Sequence, residues 1–234
     1  MASPSSSESE STISYDSDSD SSDRTSSDVT DSVVEEGDES ATIDVAPFGD
    51  LRLLVGTNKR KRDAEGEDAA DPCSKTYLVS SLVLCLASPV WRAMFSPQGG
   101  FLEANTSDGS REVRFAEDDP SALLLVLRIA HLQFRQIPAT LNYKQLLNLA
   151  LVCDKYDTVE LVRPWLPRWE KPLRQFAFEP NQEEWLFIAW TFGDTEIYKE
   201  LASTMVSDST TDEVGQCFRS GRLLGNNMPP GAIG

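Results

Sequence analysis

The side chain best suited to acid–base chemistry near neutral pH occurs once in this chain, as His131. It stands at the end of an apolar run, where a lone histidine is more often a structural residue than a catalytic base. No serine or cysteine lies in a nucleophile-elbow motif or beside a base signature, and neither of the two common glycine-rich phosphate loops occurs. We therefore predict a protein that is not an enzyme.

Carboxylates and thiols could instead bind a metal, but their spacing does not support a site. Asp118 and Asp119 directly precede Pro120, and negative charge is favourable at the start of a helix, which explains this pair without catalysis. The cysteines are scattered, with no two at metal-ligand spacing: Cys73, Cys85, Cys153 and Cys217. We expect no metal, no cofactor and reduced thiols, as in nuclear or cytosolic proteins.

Acidic charge is concentrated at the N-terminus. Residues 1–50 contain fourteen Asp and Glu against Arg24 alone, a net charge of −13 out of −17 for the chain. So polar a segment cannot bury enough apolar surface to offset the roughly 1–2 kcal/mol per residue that ordering the backbone costs. The sequence predicts a disordered, Ser-rich tail over 1–43, with no secretory signal in residues 2–12. No apolar run reaches the length of a membrane span.

The most apolar stretch of its length, SSLVLCLASPVWRAMF at residues 80–95, is divided by Ser88 and Pro89. Proline stops a preceding helix and is well tolerated as the first residue of the next one. The pattern predicts two short helices joined by a tight corner, with a single kinked helix as the alternative. The apolar positions after the corner recur at helical spacing: Val90, Trp91, Met94 and Phe95.

Short strands flank this helical hairpin. Residues 48–56 alternate apolar and polar side chains, and with residues 75–80 they predict a strand hairpin with a charged loop over 57–74 inserted at its tip. Residues 112–115 predict a third strand. The strands do not alternate with helices, so the pattern favours an α+β class, with a small mixed sheet and a helical cluster.

Helices account for the rest of the chain. Asp119 and Asn142 are predicted to cap two long helices. A helix over 158–169 is predicted to bend at Pro164 and to stop near Pro167.

Two further segments complete the prediction. Residues 181–206 are expected to form a helical pair, because their apolar positions recur at helical spacing. Residues 207–234 are polar and rich in Gly and Pro, and are predicted to be a flexible C-terminal tail.

Several motifs follow one another in the order of a BTB/POZ domain: GDLRLLVG, YLVSSLVLCLASPVWRAMF, FLE, VRFAEDDPSALLLVLRIAH and LLNLALVCDKYDTVELVRPWL. The chain resembles the BTB proteins of filamentous fungi over residues 47–170. WLFIAWTFGD, at residues 185–194, is similar to the helical extension of those proteins. The resemblance implies a BTB/POZ fold over 44–170, a helical cluster flanked by a short mixed sheet, followed by a helical extension over 171–206.

The resemblance also implies a partner site. In BTB domains that recruit the cullin scaffold of ubiquitin ligases, a hydrophobic–x–Glu triplet follows the hairpin, and Phe101, Leu102 and Glu103 stand there. An apolar anchor on a loop gives a desolvated contact, and a nearby acid contributes register. The alternative is that Phe101 folds back onto the core and Glu103 is solvated.

Dimeric members of that family carry a helix and a strand before the first core strand, together with a buried acid–base pair. Residues 1–46 are too polar to supply the helix. Asp50 matches the acid, but Ser81 occupies the basic position. A buried carboxylate without a partner is costly, so we expect Asp50 to accept backbone N–H groups or to lie exposed. A strand-exchanged homodimer is disfavoured, although homodimerisation is common in the family.

Two charged motifs lie outside the predicted core. Ser17 and Ser19 precede acids and suit acidophilic kinases; the alternative is an unmodified, solubilising tail. A basic cluster on the charged loop is either a nuclear import signal or a solvated loop, and it is too small beside an acidic tail to predict nucleic-acid binding. The cluster is Lys59, Arg60, Lys61 and Arg62.

Taken together, these features predict a non-catalytic protein–protein interaction module. The resemblance implies a substrate adaptor for a cullin-based ubiquitin ligase, with proteins as partners and neither nucleic acid nor membrane among them. The alternative is a nuclear, transcription-associated BTB protein that recruits corepressors. The nucleus or the cytoplasm is the expected location.

Overall fold

The structure is a computed structural model that describes most of the chain after residue 41. The described residues are 42–56, 60–62, 68–70, 74–96, 111–219, 221–225 and 227–231. They all belong to one unit, which begins at Glu39.

Four strands form a mixed sheet, and two more form a separate antiparallel pair. The strands are β1 (Ile43–Asp44), β2 (Leu51–Val55), β3 (Arg60–Arg62), β4 (Asp68–Ala70), β5 (Lys75–Val79) and β6 (Arg111–Phe115). The mixed sheet has the order β1-β5-β2-β6, in which β2 is antiparallel to β5 and parallel to β6, and β1 is parallel to β5. The second sheet joins β3 to β4.

The predicted strand hairpin is confirmed. Leu51 lies opposite Val79 and Val55 opposite Lys75. Leu51, Leu53 and Val55 are fully buried whereas the alternate residue Arg52 is exposed, so one face of β2 supplies the core. Two details were wrong: β1 includes Ile43, which was assigned to the tail, and the inserted loop contains β3 and β4, because ladder hydrogen bonds form there despite the polar sequence.

The apolar stretch at residues 80–95 forms two helices, α1 (Ser81–Ala87) and α2 (Pro89–Phe95), which decides against a single kinked helix. The Ser88 hydroxyl accepts a hydrogen bond from the Trp91 amide (3.0 Å) and donates one to the Tyr156 carbonyl (2.6 Å). The corner is therefore capped and tied to a distant helix.

Helices α3 (Pro120–Ala130) and α4 (Tyr143–Tyr156) pack beside the hairpin and supply much of the core. The predicted caps are confirmed. Asp119 accepts from the Ala122 amide (2.8 Å), and Asn142 forms a capping box with Gln145.

The prediction for residues 158–169 is wrong in one respect. The chain forms α5 (Val159–Val162), turns, and then forms α6 (Leu166–Glu170), so the break near Pro164 is confirmed. Pro167 lies in the first turn of α6 and does not end a helix. Proline is accepted there because the first amides of a helix have no intrahelical acceptor.

The helical pair is confirmed as α7 (Trp185–Phe192) and α8 (Thr195–Asp208). Beyond it, a three-stranded antiparallel sheet contains β7 (Ser209–Thr211), β8 (Cys217–Arg219) and β9 (Arg222–Leu223). The segment predicted as a flexible tail thus contains three short strands, β7, β8 and β9. Ladder hydrogen bonds and the packing of Leu224 and Met228 against the core account for it.

The fold is α+β, as the order of patterns predicted: a small mixed sheet with a larger helical cluster. Among the residues that the structure describes, no helix combines the length and the apolar character needed to cross a bilayer.

Candidate functional site

Several residues singled out in the sequence lie outside the described part of the chain: Ser17, Ser19, Cys73, Lys59, Phe101, Leu102 and Glu103. Of the basic cluster, Arg60, Lys61 and Arg62 form β3, paired with β4 and separate from the mixed sheet. The partner triplet and both phosphorylation candidates therefore remain predictions.

The clearest exposed feature is the outer face of α1. Leu82 and Leu86 are one helical turn apart, and 67% and 73% of their surfaces are exposed. On α2, directly after the corner, Trp91 and Phe95 are 0% and 2% exposed. Each helix of the hairpin therefore contributes to the core, α1 through Leu84 and α2 through Trp91 and Phe95, while Leu82 and Leu86 of α1 stay exposed.

A polar clamp fixes the start of α1 to the sheet. The Asp50 carboxylate accepts hydrogen bonds from the Ser81 amide (2.7 Å) and the Ser81 hydroxyl (2.5 Å). Arg111 on β6 lies 3.6 Å from the same carboxylate and donates to the Phe95 carbonyl (3.2 Å). Burial acts to raise the pKa of Asp50, but the hydrogen bonds from Ser81 and the charge of Arg111 hold it below its usual value.

This clamp confirms the prediction that Asp50 accepts a backbone N–H and lies partly exposed. Nothing in the sequence indicated that Arg111, which is distant in the chain, would supply the positive charge missing at position 81. The parallel pairing of β2 and β6, which sets Leu51 opposite Arg111, brings the base beside the acid. The arrangement also fixes the orientation of α1 relative to the sheet.

Phe48 is a further exposed apolar residue, in the turn that leads to Asp50. Its side chain is 99% exposed, in the turn between β1 and β2, two residues before Asp50. The turn is tight at Gly49, where an added Cβ would come within 2.6 Å of the Val79 carbonyl oxygen.

His131 has a structural role. Its Nδ1 donates to the Leu127 carbonyl (2.8 Å), and its Nε2 accepts from the Ser80 amide (3.1 Å), which requires the neutral ring. Burial lowers the pKa of His131, and the hydrogen bond to Leu127 opposes this only in part. Both ring nitrogens are occupied, so no lone pair is left for a general base.

His131 also gives a pH prediction. Its folded pKa lies below the ordinary 6.5, so its contribution to stability is complete above pH 6.5 and is lost as pH falls and the unfolded chain takes up the proton first. We expect His131→Asn to cost about 1 kcal/mol at pH 7.5, the value of a lost hydrogen bond. The difference between the two proteins should shrink towards pH 5 in urea unfolding. A difference that grows instead would contradict the neutral ring.

A second titratable group, Glu170, changes the stability in the opposite direction as pH rises. Burial, and to a smaller extent the charge of Asp194, raise the pKa of Glu170 to about 7, although the charge of Arg174 opposes both. This carboxyl therefore costs stability as pH rises above its unfolded value of 4.5. Glu170 is present in both proteins of the His131 comparison, so its effect cancels in the difference.

The carboxylate of Asp118 is the buried polar centre of a cleft between the start of α3 and the end of α4. Tyr156 donates its hydroxyl to Asp118 (2.5 Å), and the Lys155 ammonium lies 2.7 Å from the other oxygen. Burial, followed by the hydrogen bond to Asp118, raises the pKa of Tyr156. Asp119 caps α3, and Asp118, which directly precedes this cap, is bonded to α4 in addition.

The cleft itself has a volume of about 400 Å³ and is lined by further carboxylates from Glu117, Asp119 and Asp154. Titratable groups converge there, but both oxygens of Asp118 are bonded and Asp119 is occupied by the Ala122 amide. Over the described ranges, no group of three or more His, Cys, Asp or Glu is arranged to hold a metal ion.

The described thiols are free. Cys85, Cys153 and Cys217 form no disulfide, and burial raises the pKa of Cys153 to about 12, which removes thiolate reactivity.

Neither a family model nor a curated protein matches the chain. The fold and surface define it as an α+β protein whose most distinctive exposed feature is the apolar face of the hairpin helix α1.

Proposed function

We propose that this chain is a non-catalytic protein-interaction module of the BTB/POZ class, acting as an adaptor for a cullin-based ubiquitin ligase. The observation that carries the proposal is the helical hairpin: α2 is buried through Trp91 and Phe95, whereas α1 presents Leu82 and Leu86 to solvent. Exposed large apolar side chains on a fixed helix suit the binding of a protein.

The order of elements supports the class. The strand pair β2 and β5, the helical hairpin, β6, and then α3 and α4 follow one another in the order of the motifs that carry the BTB/POZ resemblance. The internal bonding of His131 and Asp118 supports a module without chemistry, because these side chains are used to hold the fold together.

Binding to a purified cullin N-terminal fragment tests the proposal. We expect the full chain to form a one-to-one complex in size-exclusion chromatography with light scattering. Replacing Phe101 and Glu103 together by alanine is expected to weaken binding at least about tenfold, because a central apolar anchor and its charged neighbour are lost. Isothermal titration calorimetry would measure the loss.

Val206→Asp is the matched control, because Val206 is a large apolar residue of α8 that is 83% exposed and lies in the helical extension. It should bind as the unchanged chain does. A chain that remains alone in the presence of the fragment, or a complex that is equally sensitive to both changes, would contradict the adaptor function.

One observation favours the alternative of a nuclear, corepressor-recruiting protein. Three residues of the basic cluster, Arg60–Arg62, form a strand of a two-stranded sheet that is separate from the mixed sheet, which suits recognition by another protein. Loss of nuclear retention on replacing residues 59–62 by alanine, with no cullin binding by the unchanged chain, would support this function over the adaptor.

A further inference from the structure

The outer edge of β6 is an unpaired strand edge within the described part of the chain. β6 is the last strand of the mixed sheet, and its described partner is β2. The Phe115 carbonyl accepts from the Gly56 amide (2.9 Å), so the backbone groups of Phe115 face β2. Because these groups alternate along a strand, the N–H and C=O groups of Glu112 and Arg114 point away from the sheet.

The side chains of the strand divide in the same way. Val113 and Phe115 are buried on the inner face, and Arg111 is held by the clamp. Glu112 and Arg114 are exposed on the outer face, one on each side of Val113. The strand therefore carries opposite charges symmetrically about its centre.

We propose that two copies of this chain associate through β6, as an antiparallel strand pair centred on Val113 and related by a two-fold axis. Glu112 then lies opposite Arg114 of the second copy, and Arg114 opposite Glu112. Each of these pairs exchanges both of its outward backbone hydrogen bonds, and opposite charges face each other at about 5.5 Å between Cα atoms. The two small sheets become one continuous sheet.

The charges also select the orientation. In parallel pairing at the same register, Glu112 would lie opposite Glu112 and Arg114 opposite Arg114, and like charges directly opposite are destabilising. Antiparallel pairing displaced by one residue would move the inward side chains to the solvent face. The two-fold arrangement avoids both costs, and it is the usual symmetry of a dimer.

The dimer is weak. A five-residue strand edge buries less than the roughly 1,000 Å² of a stable interface, and each copy carries a net charge of −17. Association therefore depends on protein concentration and is opposed at low ionic strength. It differs from strand exchange through the N-terminus, because it uses β6, which lies at the opposite edge of the mixed sheet from β1. The inference does not depend on the proposed adaptor function.

Charge reversal tests the pairing. Sedimentation velocity on the full chain, over about 10 μM to 1 mM in about 0.15 M salt, should show a monomer–dimer equilibrium, as expected for a small interface. Glu112→Arg and Arg114→Glu, made singly, each place like charges opposite one another twice and should weaken the dimer about tenfold. The double variant restores opposite charges and should recover most of the affinity.

Arg114→Pro is a second, independent variant, because it removes an amide that points outward and leaves the bonds to β2 in place. Melting temperatures would show whether each variant is folded. If Arg114→Pro does not fold, the charge-reversal variants alone test the strand pairing. Slower exchange of the Glu112 and Arg114 amides at high concentration is expected from the pairing. A wild-type monomer over the whole range, or a dimer indifferent to the single reversals, would overturn the proposal.

Discussion

Replacing Trp91 by alanine is expected to destabilise the protein by about 3–5 kcal/mol, because a fully buried aromatic side chain leaves a cavity that the core cannot close. Trp91 packs against Tyr156, with ring centroids 5.1 Å apart, so the loss separates α2 from α4. Total stabilities are about 5–15 kcal/mol, and this single change removes a large part of them. Urea unfolding followed by circular dichroism would measure it.

Leu82→Ala is the matched control, because Leu82 is an apolar residue of the same hairpin that points into water. Its cost is expected to be within about 0.5 kcal/mol. The contrast tests the orientation of the hairpin on which the proposed function depends. If Leu82→Ala cost as much as Trp91→Ala, the outer face of α1 would be part of the core and the docking surface would not exist.

Asp118→Ala is expected to cost about 2–4 kcal/mol, because it leaves the buried Tyr156 hydroxyl without an acceptor and the Lys155 ammonium without its partner. The Asp118 side chain is only 4% exposed, so water does not replace the lost acceptor easily. Asp118→Asn keeps an acceptor oxygen and should lose less. Thermal unfolding of the three proteins at one pH would rank them.

Asp119→Ala is the control for this experiment, since Asp119 is the next residue and also an acid. It accepts a single amide hydrogen bond as the cap of α3, and such caps contribute about 1 kcal/mol. Equal costs for the two alanine variants would show that Asp118 is only a second cap. Its bonds to α4 would then contribute little.

Local chemistry allowed much of the fold to be predicted. A cap needs only the residues within one turn, so Asp119 and Asn142 were sufficient to start α3 and α4. The alternation of apolar and polar residues was sufficient to predict β2, and the proline after Ser88 was sufficient to predict the corner between the hairpin helices. These features depend on contacts close in sequence, which a single sequence displays directly.

The errors occur where the deciding contact is distant or where two local rules compete. Proline is compatible with both the end and the start of a helix, and the packing of α6 through Leu166 and Trp169 decided that Pro167 lies in a first turn. The strands after residue 208 form because β7 pairs with β8 and Leu224 packs against the core, although this segment has the composition of a loop. Composition does not report such pairing.

The candidate surface likewise combines features that the sequence predicted with contacts between distant residues that it did not. The sequence identified Asp50 as an acid that needed partners and placed both helices of the hairpin. It did not indicate that Arg111 would complete the clamp or that Asp118 would be bonded to Tyr156. Each of these contacts joins residues more than thirty positions apart, which only the folded chain brings together.

By itself, the sequence determined the α+β class, the caps, the hairpin corner and the absence of a recognisable catalytic motif, because periodicity and capping act within a few residues. The tertiary structure decided which face of each hairpin helix is buried, which acids are bonded and which strand edge is open within the described residues. These properties depend on the order of strands in the sheet and on the packing of distant side chains, and no short segment of the chain specifies either.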